Sequence, residues 1–193
     1  MEIDFNNIEA KIVKFDKNDK QVRAVYEEAF PINEKVDFEQ LFSGIFKDFV
    51  LYGFFCDKKL VGFAHFLNHN DFIHLNYLAV RKGYRSQGIG SYIIKWLQKT
   101  FNNKAIVADI ENLDEKAENK EQRFKRLKFY YKNGFKDGKV EFDWEGTRMY
   151  YIHTNKISKD SFLTHIIKCF PTIENIKKHK SNKRLLKNYY AKI

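Results

Sequence analysis

Arg85, Gly88 and Gly90, in the run Arg81-Lys-Gly-Tyr-Arg-Ser-Gln-Gly-Ile-Gly90, are the residues of this 193-residue chain whose types and spacing point most directly to chemistry. Two glycines at the start of a helix let an anion approach backbone N–H groups that have no partner inside the helix. The helix also carries about half a positive charge at that end. Two phosphate-binding patterns are excluded by single positions. A Walker A loop requires Lys-[Ser/Thr] after its second glycine, and Ile89-Gly90 follows Gly88; the dinucleotide fingerprint requires a glycine three residues after Gly90, where Ile93 stands.

The elements around the turn must present it. Ile73 to Val80 alternates apolar, β-branched and aromatic residues as a strand does, and Ile89, Ile93, Trp96, Leu97 and Phe101 recur at helical spacing, so a helix begins at about Gly88. Upstream, the pattern predicts a strand at 9–15 and a helix from Asn18 to Phe30 that stops before Pro31. A short helix capped by Asp37 follows, with Gln40 three residues on as a capping box has it, and then strands at 48–56 and 60–68. Downstream come a strand at 104–111, parallel to the 73–80 strand because a helix joins them, and a helix at 119–132 ending at Gly134. A hairpin of strands at 138–144 and 147–154 closes the sheet. Beyond it, Ile157–Phe170 and Thr172–Tyr190 have the pattern of two more helices split by Pro171.

Arg85-x-x-Gly88-x-Gly90 directly after Leu-Ala-Val resembles the acetyl-CoA-binding motif of the GNAT superfamily of N-acetyltransferases. Phe129-Tyr-Tyr-Lys-Asn-Gly-Phe135 resembles the second landmark of that family, and Ala29-Phe-Pro-Ile-Asn-Glu34 resembles a turn between the two helices that shape its acceptor side. The resemblance covers about residues 9–154. It implies an α/β (α+β) domain at 1–154, with a mixed, mostly antiparallel sheet of about seven strands, splayed between the fourth and fifth and flanked by helices. Residues 155–193 are then a basic helical extension.

The resemblance implies acetyl-CoA as cosubstrate. The backbone of Leu78, Ala79 and Val80 would pair with the pantetheine arm and stabilise the oxyanion. Arg85, Ser86, Gln87, Gly88, Ile89, Gly90 and Ser91 would hold the pyrophosphate. A lysine-like amine near pKa 10.4 costs about 4 to 5 kcal/mol to deprotonate at pH 7, so a base is needed. Glu111 stands where related sequences carry a glutamate, with Asp109 or a water chain as alternatives. Tyr130 matches the tyrosine that serves the departing thiolate, as a hydrogen-bond donor more than as a full acid. The asparagine that many members carry about seven residues before this tyrosine is replaced here by Arg123, and its role is not carried over.

The implied function is transfer of an acetyl group to a primary amine, on a small molecule, peptide or protein, by direct attack in a ternary complex. The alternative is a non-catalytic acetyl-CoA-binding module that docks on protein or RNA through basic C-terminal helices. A net charge of +10 suits an anionic partner, which the coenzyme's phosphates already supply in part. Lys177, Lys178, Lys180, Lys183, Arg184 and Lys187 keep contact of 172–190 with nucleic acid or the ribosome open, and a homodimer is equally open. Asp109, Glu111, Asp114, Glu115, Glu118 and Glu121 form an acidic region that would draw a cationic acceptor. His65, His69 and His74 with Asp71 read as solvated hairpin residues and not as metal ligands, and Cys56 and Cys169 read as free thiols. With no apolar run of membrane length and no basic-then-apolar N-terminal pattern, a cytoplasmic placement without membrane contact is expected.

Overall fold

A computed structural model describes residues 3–14, 20–30, 35–101, 104–113, 117–144, 146–155, 157–169 and 174–178. The chain divides into two compact units, residues 1–104 and 105–193.

In the first unit, strands β1 (Ile8–Val13), β2 (Val50–Cys56), β3 (Lys59–Asn68) and β4 (Phe72–Val80) form an antiparallel meander in that order. Alternation of side chains gives the meander two apolar faces. Helix α1 (Lys20–Ala29) sets Val22, Val25 and Tyr26 on one of them, against Leu51, Phe63, Tyr77 and Ala79. Helix α2 (Ile89–Thr100) covers the other, where Trp96 lies 5.0 Å from the Tyr52 ring and 5.2 Å from that of Phe54. Gly62 permits the close approach of α2. A Cβ there would meet the Ala79 carbonyl at 2.7 Å and Ile93 at 3.1 Å.

The predicted short helix after Asp37 is a 3-10 turn over Phe38–Phe42, and its box is present: the Asp37 N–H donates to Gln40 Oε1 at 3.1 Å. Pro31 to Glu34 of the interhelical turn lie outside the described residues.

His65 and His74 correct the expectation of solvated hairpin residues, since both are buried. The His65 ring stacks on Phe49 at 5.2 Å, its Nε2 is 2.9 Å from the Leu41 carbonyl, and its Nδ1 is 3.2 Å from the Asn76 amide. A carbonyl can only accept, so Nε2 carries the proton and Nδ1 accepts from Asn76, which satisfies a neutral ring. Burial pushes the His65 pKa down to about 4; the Leu41 carbonyl opposes this and His74 adds to it. Strand alternation alone could not show that the 3-10 segment folds over this face.

In the second unit, strands β5 (Ala105–Glu111), β6 (Lys136–Trp144), β7 (Thr147–His153) and β8 (Glu174–Lys178) follow the order β5-β7-β6-β8, all antiparallel. Helix α3 (Lys120–Lys132) buries Phe124 and Leu127. Helix α4 (Lys159–Cys169) buries Phe162, whose ring lies 4.0 Å from that of Tyr151. Thr154 ties the end of β7 to β5: Ile106 N–H donates to its Oγ1 at 2.9 Å and its own N–H donates to the Ile106 carbonyl at 3.0 Å.

The expected helix over 172–190 is overturned at 174–178, which form β8 on the open edge of β6. An unpaired row of N–H and C=O groups along β6 outweighs the helical spacing of this short segment. The basic positions from Lys180 onward lie outside the described residues.

Candidate functional site

β4 ends at Val80 and the chain turns at once through Lys82–Tyr84 into α2. Ser86 (φ 64°) and Gly88 (φ 88°) take left-handed backbone conformations, and no side chain caps the helix at Gly88. The N–H groups at its start have no side-chain acceptor among the described residues, which is the arrangement an anion requires. Positive φ makes glycine the fitting residue at 88. A Cβ there would also stand 3.4 Å from the ring of Phe5, which packs on Tyr92 at 5.5 Å between centroids.

Arg85 is engaged within the loop. Its Nε donates to the Val80 carbonyl at 3.0 Å and its Nη2 to Glu28 Oε1 at 3.4 Å; Lys82 N–H donates to the same Glu28 oxygen at 2.7 Å. Gln87 donates to the Gly83 carbonyl at 3.3 Å. Nothing in the local sequence predicts Glu28 here, 57 residues before Arg85.

In the second unit the Phe129–Phe135 motif is the C-terminal cap of α3. Phe135 N–H donates to the Tyr130 carbonyl and Gly134 N–H to the Tyr131 carbonyl, each at 3.1 Å, with Gly134 at φ 85°. These are the two bonds of a Schellman motif, and its hydrophobic contact is the Tyr130–Phe135 ring pair at 4.9 Å. The glycine and the second phenylalanine thus fix the tyrosine. Tyr131 turns away and donates its hydroxyl to Asp137, so it is half-buried and hydrogen-bonded, not part of the core.

Tyr130 is 8% exposed, and burial pushes its phenol up to about 12; Arg126 opposes this, while Glu111 and Asp109 add to it. A phenol at that value keeps its proton. Full transfer of its proton to a thiolate near pKa 8.5 would be uphill by about 5 kcal/mol.

Glu111 closes β5 and is 6% exposed. Its Oε2 accepts from Arg126 Nη1. Its Oε1 lies 3.8 Å from Arg123 Nε and accepts no hydrogen bond from the described residues. Arg123, seven residues before Tyr130, donates to Asn119 Oδ1 at 2.7 Å and to the Asn112 carbonyl at 3.0 Å, tying the start of α3 to the segment after β5.

Asp109 lies two residues from Glu111 on β5 and contributes to the field at Tyr130. Of the acidic region, Glu118 and Glu121 are exposed and Glu111 is buried, and Asp114 and Glu115 lie outside the described residues. Cys56 is a free thiol at the end of β2, raised by partial burial and then by Asp57 and Asp4; Cys169 ends α4. Among the described residues no group of three or more His, Cys, Asp or Glu gathers as for a metal ion, and no helix is long and apolar enough to cross a membrane.

Residues 48–137 match the model of the acetyltransferase (GNAT) domain. Over 98 residues the chain is 35% identical to the Bacillus subtilis protein named "Putative acetyltransferase YjbC", covering 51% of this chain and 46% of that protein; it spans just under half the length of this curated relative. A GNAT-family structure from Bacteroides thetaiotaomicron superposes with a TM-score of 0.62 at 20% identity, covering 78% of this chain and 89% of that one. A GNAT acetyltransferase from Elizabethkingia anophelis, solved with acetyl-CoA bound, superposes with a TM-score of 0.55 at 17% identity, covering 78% and 99%. The fold is that of GNAT proteins, and the GNAT acetyltransferase domain is matched over residues 48–137.

Proposed function

We propose that the protein is an acetyl-CoA-dependent N-acetyltransferase that moves the acetyl group to a primary amine by direct attack in a ternary complex. The observation that carries this reading is the turn from β4 into an uncapped α2, with Gly88 at positive φ, inside the stretch that matches the GNAT domain. The E. anophelis neighbour with acetyl-CoA bound supports the coenzyme.

The roles follow from the chemistry of each group. Backbone N–H groups from Ser86 to Ser91 take the pyrophosphate, with Arg85 at the start of the loop, and the backbone of Leu78 to Val80 serves the pantetheine arm and the oxyanion. Glu111, whose Oε2 is held by Arg126, accepts the proton of the amine through its Oε1, directly or by a water; Asp109 is the alternative base. The amine lone pair attacks the thioester carbon, the carbonyl π electrons move to oxygen, the nitrogen of the adduct gives up its second proton to solvent, and collapse of the tetrahedral adduct expels the coenzyme thiolate. Tyr130 donates a hydrogen bond to that sulfur, and solvent supplies the proton. The acceptor is a free amine on a small molecule, peptide or protein.

A second reading is a binding module without turnover. It is favoured by the ion pair at Glu111, because the carboxylate oxygen that Arg126 occupies is not available to an acceptor amine. Thiol release from acetyl-CoA, followed against a panel of small amines and lysine peptides beside calorimetric binding of acetyl-CoA, separates the two. Turnover with any acceptor establishes the enzyme. Binding without turnover across the panel supports the module, and no binding removes the coenzyme reading.

A further inference from the structure

Glu28 sits in the last turn of α1, where a carboxylate faces the negative end of the helix dipole. Its neighbour Glu27 is neutralised by Lys35. Glu28 instead reaches the coenzyme loop, where its Oε1 accepts the Lys82 N–H at 2.7 Å and the Arg85 guanidinium at 3.4 Å. Arg85 holds the Val80 carbonyl at the same time, at 3.0 Å. The planar guanidinium thus bridges the end of β4 to α1, and the Lys82 amide pins the intervening turn to the same carboxylate. With Arg85 committed to these contacts, the donors left for phosphate are the uncapped backbone N–H groups at the start of α2.

We propose that Glu28 is a positioning residue for the coenzyme: through Arg85 and the Lys82 amide it fixes the loop whose backbone receives the phosphates. This rests on the reading that the loop holds acetyl-CoA. A carboxylate beside a phosphate site makes the opposite prediction if it acts only by its charge, since removing it would relieve repulsion and tighten binding. The sign of the effect therefore decides.

Calorimetric titration of the full chain with acetyl-CoA, with circular dichroism and thermal melts confirming each variant is folded, tests this. Glu28→Ala is expected to weaken binding about fivefold to tenfold, as loss of a charge-assisted bond to a backbone N–H at a half-exposed site implies. Glu28→Gln, whose amide oxygen still accepts the Lys82 N–H, is expected to stay within about twofold of the wild type. Arg85→Lys keeps the charge but loses the fork, and is expected to weaken binding as Glu28→Ala does; an Arg85→Lys, Glu28→Ala double variant should be little worse than either alone.

Tighter binding by Glu28→Ala and Glu28→Gln, or unchanged affinity in Glu28→Ala, overturns the inference. Unchanged affinity in Arg85→Lys does so independently, and remains readable if Glu28→Ala fails to fold. If the wild type binds no acetyl-CoA, the coenzyme reading falls and this inference with it.

Discussion

The two units treat buried polarity in opposite ways. Among the described residues of the first, the buried polar side chains are His65 and His74, and the surface proposed to take the anion is made by backbone at an exposed turn. The second buries a carboxylate, Glu111, and holds it with arginines that approach from α3. Backbone donors survive every substitution except proline and have no competing protonation state. Paired side-chain charges depend on both partners being present, so sensitivity to single substitutions should concentrate in the second unit and sensitivity to acid in the first.

The sharpest way to break this contrast is Arg126→Ala. It leaves Glu111 buried with Arg123 as its remaining near cation, and should destabilise the protein by about 3 kcal/mol, the low end for breaking a buried pair. Glu111→Gln should cost about 1 kcal/mol, because Arg126 is 31% exposed and can turn to water. Urea unfolding of both variants checks the asymmetry, and equal costs would remove it.

The acid arm lies in the first unit. The folded pKa of His65, about 4, is below its unfolded value of about 6.5, so the unfolded chain binds the proton first and stability falls as pH drops from 6.5 towards 4. The loss approaches about 3 kcal/mol. Denaturant midpoints measured across this range should slope for the wild type and flatten for His65→Phe; an unchanged slope would assign the acid sensitivity to other groups.

What could be read from the sequence follows the same division. The loop was legible because backbone chemistry leaves its mark in glycines: Gly88 is required by its φ, and Gly134 by the Schellman cap that fixes Tyr130. Period-2 and period-3.6 patterns placed β2 to β7 and α1 to α3 within a few residues, since each has one apolar face to bury. Side-chain partnerships were not legible. Arg126 meets Glu111 across 15 residues, Glu28 meets Arg85 across 57, and His65 meets the Leu41 carbonyl across 24, and no local pattern encodes these. β8 departs from the helical spacing of its own residues because its state is set by the edge of β6.

Gly88→Ala probes the loop at smaller amplitude. The added methyl meets the ring of Phe5 at 3.4 Å, and an alanine held at φ 88° costs about 1 to 2 kcal/mol. Urea unfolding should show this loss, with weaker acetyl-CoA binding in calorimetry because the helix start must shift. A normal stability with normal binding would mean that the turn adopts another backbone path at no cost.

Tyr130→Phe should have the smallest effect and be the most specific. The ring contact with Phe135 and the Schellman bonds involve the ring and the backbone, so they survive removal of the hydroxyl, and stability should change by under about 1 kcal/mol. Loss of one hydrogen bond to the leaving sulfur should lower kcat about fivefold while sparing acetyl-CoA binding, a split read by steady-state thiol release beside calorimetry. Because burial pushes the phenol up to about 12, the wild-type rate should show no Tyr130 ionisation below pH 10. A drop of a hundredfold or more, with an alkaline limb lost in the variant, would mean that the tyrosine delivers a whole proton. The field of Glu111 and Asp109 at its hydroxyl would then have to be offset by the bound coenzyme.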